Sequence, residues 1–143
     1  MKIIFDYNRT LFDPETDSLC PGVLDLLQNL SQKGELSLVT RNEPGRSNKF
    51  DTFKMRDFFT NIAFVDEKTT ELFKKIGEGA DIVFVVGDRL KGEIRLGNQL
   101  GFITVWVKQG KFSFESPSNK EEEPHHIIHD IRDLENLIST YEI

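Results

Sequence analysis

Six short apolar runs, rich in β-branched and aromatic residues, recur along the chain and alternate with segments of helical spacing. The runs are KIIFDY, ELSLVTR, NIAFVD, DIVFVVGD, FITVWVKQ and HIIHDI. Strands that are apolar on both faces must be covered on both faces, so this alternation predicts a parallel sheet with helices on either side. We therefore expect an α/β chain with a three-layer α/β/α architecture.

The segments between the runs carry the usual signals of helix ends. Pro21 is predicted to begin the first helix and Gly34 to end it. Thr69 is predicted to help open a later helix, which Gly77 and Gly79 close. The segment NKFDTFKMRDFF shows a weaker helical pattern.

The length of 143 residues and the hydrophobic content of 38% fit one domain with its own core. Connections are short outside SPSNKEEEP, which is predicted to be a solvated loop. The chain leaves no room for an inserted second domain after Thr10 or after Thr40. We expect residues 1–143 to form a single domain with a mainly parallel, Rossmann-like sheet.

The net charge of -6 and the lack of a clustered run of Lys and Arg indicate no extended basic surface for nucleic acid or anionic lipid, while a local basic pocket stays open. No stretch approaches the roughly 20 apolar residues that span a bilayer. The apolar run before Asp6 is also too short for a signal peptide. Cys20 is the only cysteine, which excludes an intrachain disulfide and fits a reducing compartment. A cytoplasmic localisation is therefore expected.

Polar residues that follow the predicted strands are candidates for a site, because doubly wound sheets bind ligands beyond the carboxyl ends of their strands. Asp6 follows KIIF, Thr40 follows LSLV, Lys68 is predicted to open a helix after NIAFVDE, and Asp88 follows IVFVVG. A carboxylate can attack phosphorus, while a hydroxyl and an ammonium can hold a phosphoryl group. A second carboxylate can share a Mg²⁺ ion, which prefers oxygen ligands. Together these residues predict phosphoryl transfer from a phosphorylated substrate.

The same residues occur in the order of the four motifs of the haloacid dehalogenase (HAD) superfamily, which the sequence resembles over most of its length. The first motif, usually an apolar strand followed by Asp-x-Asp-x-Thr-Leu, is matched by IIFDYNRTL. The other matches are Thr40 for the second motif, Lys68 in EKTTELFKK for the third, and Gly87, Asp88 and Glu93 in GDRLKGEI for the fourth. The resemblance implies a HAD-like phosphohydrolase without a cap domain.

The resemblance also implies roles for individual residues. Asp6 would be the nucleophile, and Thr40 and Lys68 would hold the phosphate. Polar neighbours of the motifs that could bind the leaving group are Arg41, Asn42, Arg46 and Arg89, of which we take Arg41 and Asn42 as the candidate substrate-binding residues. The implied Mg²⁺ ligands are Asp6, the backbone carbonyl of Asn8, Asp88 and Glu93, the last through water.

Asn8 departs from the family pattern, since the family's phosphatases carry an aspartate there that protonates the leaving alcohol and then activates water. A carboxamide cannot exchange that proton, and losing such help lowers the rate by a factor of about 10²–10⁴. Hydrolysis could then depend on good leaving groups, or Arg9, Glu67 or Glu93 could substitute. The alternative is a phosphate-binding or protein-interaction domain without turnover. A dehalogenase needs no such proton, but the family's dehalogenases close the site with a cap.

Without a cap the site is expected to stay open to water, and large substrates or the neighbours in a homo-oligomer can close it. The segment KQGKFSFESPSNKEEEP follows a strand, so Phe112 and Phe114 could contact a substrate or a partner. An exposed loop is the simpler expectation. His125, His126 and His129 are expected to be structural rather than metal ligands, since adjacent strand residues point to opposite faces.

Overall fold

The computed structural model describes residues 1–142. Its strands are β1 (Lys2–Phe5), β2 (Phe12–Asp13), β3 (Ser18–Leu19), β4 (Glu35–Arg41), β5 (Asn61–Val65), β6 (Val83–Gly87), β7 (Ile103–Val107) and β8 (His126–Ile128). The α-helices are α1 (Val23–Ser31), α2 (Arg46–Thr52), α3 (Thr70–Gly77), α4 (Arg95–Gln99) and α5 (Leu134–Ser139). Each of the six apolar runs of the sequence contains a strand.

These six strands form one sheet in the order β5-β4-β1-β6-β7-β8, and every neighbouring pair is parallel. Side chains alternate between the two faces of this sheet. Ile3 and Phe5 pack in one core with residues of α1, α2 and α5, while Ile4 packs in a second core with residues of α3 and α4. Helices therefore cover both faces, which confirms the α/β three-layer sandwich with a parallel, Rossmann-like sheet.

The winding of the chain places two strand ends side by side. From β1 the chain moves to β4 and β5 on one side, and it then returns to β6 before continuing to β7 and β8 on the other. The carboxyl ends of β1 and β6 therefore meet where the direction of winding reverses, the usual position of a ligand crevice. Asp6 and Asp88 directly follow these two strands.

Two predicted helix starts are slightly early. Helix α1 begins at Val23, after Gly22 turns the chain with a left-handed φ of 82°. The first helical residue therefore lies beyond Pro21. Lys68 precedes α3 rather than opening it, because Thr69 is the N-cap and its hydroxyl accepts a hydrogen bond from the backbone N–H of Leu72 at 3.2 Å.

The connections after β1 and β4 are small. After β1 the chain forms the hairpin of β2 and β3, and after β4 it forms α2 and a single 3₁₀ turn at Arg56–Phe58. The described residues contain no inserted cap domain, as expected. Nor does any helix among them combine the length and the apolar character that crossing a membrane requires.

Candidate functional site

Asp6 is positioned by the tight loop that follows β1. The carbonyl of Tyr7 accepts a hydrogen bond from the backbone N–H of Leu11 at 2.9 Å, and Arg9 takes a left-handed conformation with φ 59°. Thr10 is fully buried, and its hydroxyl donates to Oδ2 of Asp6 at 3.5 Å. The loop therefore turns the chain back at once and keeps the Asp6 carboxylate in a defined orientation.

The Lys68 ammonium lies between two carboxylates. Its Nζ donates to Oδ1 of Asp6 at 2.7 Å and lies 3.4 Å from Oε2 of Glu93. Burial lowers the pKa of Lys68, but the negative charges of Asp6 and Glu93 outweigh it, so the pKa lies above its usual value. Burial raises the pKa of Asp6, but the charge of Lys68 and the hydrogen bonds from Asp88, Lys68 and the Tyr7 backbone together outweigh it, so that pKa lies below its usual value. Both groups are therefore charged at neutral pH.

Glu93 reaches the site through an unusual turn after β6. Residues Leu90–Ile94 form a π-helical turn in which Gly92 leaves the helical conformation. Oε1 of Glu93 accepts a hydrogen bond from the backbone N–H of Asp88 at 3.0 Å. A Cβ atom on Gly87 would overlap this same oxygen, so a glycine at that position lets Glu93 approach the backbone.

Three carboxylates converge beside Lys68. Asp6, Asp88 and Glu93 each offer an oxygen within 4.8 Å of the others. Burial and the negative charges of Asp6 and Glu93 raise the pKa of Asp88 to about 9. Burial, opposed by Lys68, raises the pKa of Glu93 to about 7. Oδ2 of Asp88 is buried and has no hydrogen-bond partner among the described residues.

A divalent cation fits this cluster. Mg²⁺ prefers hard oxygen donors, and the three carboxyl groups supply such oxygens close together. The unpartnered Oδ2 of Asp88 is a buried polar atom that a cation would satisfy. Glu93 already accepts hydrogen bonds from the backbone and from Lys68. Asp6 and Asp88 are therefore the better candidates for direct contact with a cation, and Glu93 is better suited to a supporting role.

A cavity of about 760 Å³ opens at this edge of the sheet. The predicted site residues that line it are Asp6, Asn8, Arg41, Lys68, Asp88 and Glu93. Thr40 and Asn42 are not part of this lining, and Asn42 instead lines a separate groove of about 310 Å³. The structure therefore brings together six of the eight predicted residues, while the roles of Thr40 and Asn42 in binding stay predictions.

Thr40 is linked to the cavity through Arg46. The Thr40 side chain lies at the end of β4 and is 1% exposed. Nη1 of Arg46 donates to its hydroxyl at 3.1 Å, and Nη2 of Arg46 pairs with Oε2 of Glu43 at 2.9 Å. Arg46 lines the cavity, so its positive charge lies next to the hydroxyl of Thr40, a residue that the sequence predicted for phosphate binding.

The loop after β7 is largely exposed, as expected, but part of it lines the cavity. Phe114 is exposed, but Lys111 and Phe112 line the cavity. The guanidinium carbon of Arg89 lies 3.8 Å from the centre of the Phe112 ring, and Nε of Arg89 donates to Oε1 of Glu115 at 3.2 Å. These contacts hold the loop against the residues that follow β6. The loop sequence does not indicate the contacts of Arg89 with Phe112 and Glu115, because these partners are more than 20 residues from Arg89.

Cys20 and the histidines lie outside the cavity lining. Cys20 is buried, and burial raises the pKa of its thiol to about 11. Nδ1 of His125 accepts a hydrogen bond from the backbone N–H of Thr104 at 3.0 Å. Nε2 of His126 is hydrogen-bonded to the hydroxyl of Tyr141 at 2.5 Å. These contacts support the structural role expected for His125 and His126.

The fold and the cluster together define a class of protein, an α/β/α domain with three carboxylates and a lysine at the switch point of a parallel sheet. Residues 68–134 match the model of the HAD-hydrolase-like family. A curated relative, glyceraldehyde 3-phosphate phosphatase from Methanopyrus kandleri, is 26% identical over 129 residues, which cover 82% of this chain and 55% of that protein. The chain spans about half the length of this relative.

Solved structures share the fold along nearly the whole chain. A protein described as a haloacid dehalogenase-like hydrolase from Burkholderia xenovorans has a TM-score of 0.84 at 13% identity, covering 99% of this chain and 98% of that one. D,D-heptose 1,7-bisphosphate phosphatase from B. bronchiseptica, solved with magnesium and phosphate, has a TM-score of 0.74 at 16% identity, covering 98% and 99%. These likenesses concern the fold. The family match and the motif order make this chain similar to the haloacid dehalogenase-like hydrolases.

Proposed function

We propose that this domain is a Mg²⁺-dependent phosphohydrolase that cleaves phosphate monoesters through a phosphoaspartate at Asp6. The observation that carries this proposal is the convergence of Asp6, Asp88 and Glu93 within 4.8 Å, with Lys68 2.7 Å from the Asp6 carboxylate. The relative from M. kandleri, a phosphatase, gives further support. The partner of the site is accordingly a phosphorylated molecule.

Lys68 and Asp6 act in the first step. The Lys68 ammonium keeps the Asp6 carboxylate ionised and attracts the negatively charged phosphate towards it. An oxygen of Asp6 attacks phosphorus, and the new O–P bond forms while the bond to the leaving oxygen breaks and its electrons stay with that oxygen. Water then attacks the phosphorus of the phosphoaspartate, the bond between phosphorus and the Asp6 oxygen breaks, and the protons of the water leave with the phosphate. This second step releases inorganic phosphate and restores Asp6.

Asp6 and Asp88 would hold the Mg²⁺ ion directly, with the backbone carbonyl of Asn8 as a further ligand and Glu93 acting through water. Held by these residues, Mg²⁺ would neutralise charge on the transferring phosphoryl group. Glu93 accepts a hydrogen bond from the backbone N–H of Asp88 at 3.0 Å and so fixes the turn that carries the Asp88 carboxylate.

Asn8 limits the chemistry at the leaving group. Its side chain lines the cavity together with Asp6 but cannot protonate a departing alkoxide. Arg9 and Glu67 also line the cavity, whereas Glu93 is engaged by the backbone and by Lys68. We therefore expect turnover to depend strongly on the leaving group. The same residue favours a second candidate function, a phosphate-binding or protein-interaction domain without turnover.

The nucleophile is tested with an aryl phosphate, whose leaving group needs little protonation. We expect hydrolysis that requires Mg²⁺ and is abolished in Asp6→Asn. Asp25→Asn removes an exposed carboxylate from α1 and should hydrolyse the substrate like the wild type. Hydrolysis that persists in Asp6→Asn would overturn the proposal.

The Asn8 substitution is tested with a matched pair of aryl and alkyl phosphates. Asn8→Asp should raise the rate for the alkyl phosphate by about 10²–10⁴ and the rate for the aryl phosphate much less. Asn136→Asp, which adds the same charge at an exposed position of α5, serves as the control. If Asn8→Asp binds Mg²⁺ but hydrolyses neither substrate, the binding function without turnover is favoured.

A further inference from the structure

Charge is distributed unevenly around the cavity. Eight basic side chains and six carboxylates line it, although the whole chain has a net charge of -6. The carboxylates outside the Asp6, Asp88 and Glu93 cluster are Glu43, Asp66 and Glu67, which follow β4 and β5. The lining residues that follow β1, β6 and β7 include five cations, here called the basic half: Arg9, Arg89, Lys91, Arg95 and Lys111.

Part of the basic half lacks a carboxylate partner. Arg89 pairs with Glu115 at 3.2 Å and Lys91 with Glu122 at 2.9 Å. Within residues 1–142, by contrast, Arg9, Arg95 and Lys111 form no ion pair. Nε of Arg9 is in addition buried and has no hydrogen-bond partner among the described residues. A buried donor without an acceptor is unfavourable, and an anion bound close to the Arg9 guanidinium would offset part of that cost.

One aromatic ring gathers three of these cations. The Phe112 ring centre lies 3.8 Å from the guanidinium carbon of Arg89, 5.0 Å from Nζ of Lys111 and 5.4 Å from the guanidinium carbon of Arg9. Each cation is attracted to the ring face, but the three positive charges repel one another. An anion bound among them would relieve that repulsion.

Arg9 is held in this arrangement by the loop after β7. Nε2 of Gln109 donates to the Arg9 carbonyl at 2.8 Å. A Cβ atom on Gly110 would lie 2.9 Å from Cδ of Arg9, so the glycine allows the Arg9 stem to pack closely against the loop. The cation is therefore positioned before any ligand arrives, which lowers the entropic cost of binding.

We propose that the basic half binds a second anionic group of the substrate, so that the preferred monoesters carry a carboxylate or another phosphate besides the phosphate at Asp6. The inference rests on the proposed function for the position of the first phosphate. Lys68 is engaged by Asp6 and Glu93 and binds the reacting phosphate, whereas Arg9 and Lys111 bind the second group. A neutral leaving group would leave these cations without a partner.

Direct binding of phosphonates, which cannot be hydrolysed, tests the inference without turnover. Phosphonoacetate and its amide have nearly the same shape and differ by one charge, and 3-phosphonopropionate with its amide extends the reach. In the presence of Mg²⁺, calorimetry should show the acid binding about tenfold or more tightly than its amide for one spacer length or both. Diphosphonates with the same spacers distinguish a second phosphate from a carboxylate.

Matched variants then locate the charge that is responsible. Lys111→Gln and Arg9→Gln should each reduce the ratio of acid to amide affinity several-fold. Lys75→Gln removes the same charge at an exposed position of α3 outside the cavity and should retain the ratio. Circular dichroism establishes that each variant is folded before its ratio is interpreted.

The outcomes separate this inference from the proposed function. Equal affinity for acid and amide at both spacers, or an equal loss of preference in Lys75→Gln, overturns the second anionic group. If the protein hydrolyses aryl phosphates but binds acid and amide equally, only the proposal of a second anionic group is overturned. If it prefers the acid but hydrolyses no phosphate, only the proposed phosphohydrolase is overturned. Failure of every phosphonate to bind counts against both proposals.

Discussion

Replacing Asp88 by asparagine should stabilise the metal-free domain at neutral and alkaline pH. The Asp88 side chain is 2% exposed and lies beside the carboxylates of Asp6 and Glu93. Burial and these two charges raise its pKa to about 9 from 3.8, the value for an unperturbed aspartate. Asparagine keeps the shape of the side chain but carries no charge, so the variant escapes this repulsion.

The sign and size of the effect follow from proton linkage. The folded state holds the Asp88 proton more tightly than the unfolded state, so the favourable contribution is complete below about pH 4 and is lost as the pH rises towards 9. At pH 7 the wild type has lost about 4 kcal/mol of this contribution to its free energy of unfolding, because each pH unit above the unfolded pKa of Asp88 removes about 1.36 kcal/mol. An unpartnered amide in the same place costs about 1–3 kcal/mol. The expected net gain at pH 7 is about 2 kcal/mol, or about 4–8 °C in Tm.

Urea unfolding in EDTA between pH 5 and pH 9, followed by the fluorescence of the buried Trp106, measures the difference in the free energy of unfolding between Asp88→Asn and the wild type. Mg²⁺ should reverse the order of stability, because a ligand at 100 times its Kd adds about 2.7 kcal/mol to the wild type and little to a variant that lacks a ligand group. Asp81→Asn, which removes an exposed carboxylate, is the control and should leave both measurements unchanged. A variant that is less stable than the wild type in EDTA at every pH would refute the reasoning, as would equal stabilisation of both by Mg²⁺.

Three further predictions concern single residues. Gly87→Ala should weaken Mg²⁺ binding about 10–100-fold in a titration, because the added Cβ displaces Glu93 from the Asp88 backbone. Gly79→Ala is the control: this residue has a φ of 81° and open space around it, so the substitution should lower stability without changing the Mg²⁺ affinity. The Cys20 thiol, with a pKa of about 11, should react with a disulfide reagent far more slowly in the folded than in the urea-unfolded protein at pH 8, and similar rates would contradict its burial. Thr69→Ala should lower the free energy of unfolding by about 1 kcal/mol through loss of the cap on α3, and a similar loss in Thr70→Ala would show that the cap is not the cause.

Much of the fold could be read from local patterns. A parallel strand that is buried on both faces needs a continuous apolar run, and such runs occur at each of the six strands of the sheet. The expectation that ligands bind beyond the carboxyl ends of the strands also identified Asp6, Lys68 and Asp88, because the carboxyl ends of parallel strands share one edge of the sheet. Helix starts were less accurate, since Gly22 and Thr69 set them through backbone conformation and capping.

The sequence by itself therefore determined the fold class, the edge that carries the site and most of the residues that converge there. Only the tertiary structure decided which charges meet. The high pKa of Asp88 depends on burial, on the charge of the nearby Glu93 and on the charge of Asp6 from another strand end, and the position of Arg9 depends on a loop about 100 residues away. The contacts with Asp6 and with this loop join residues far apart in sequence, so no local pattern encodes them, and packing creates the environment that tunes the site.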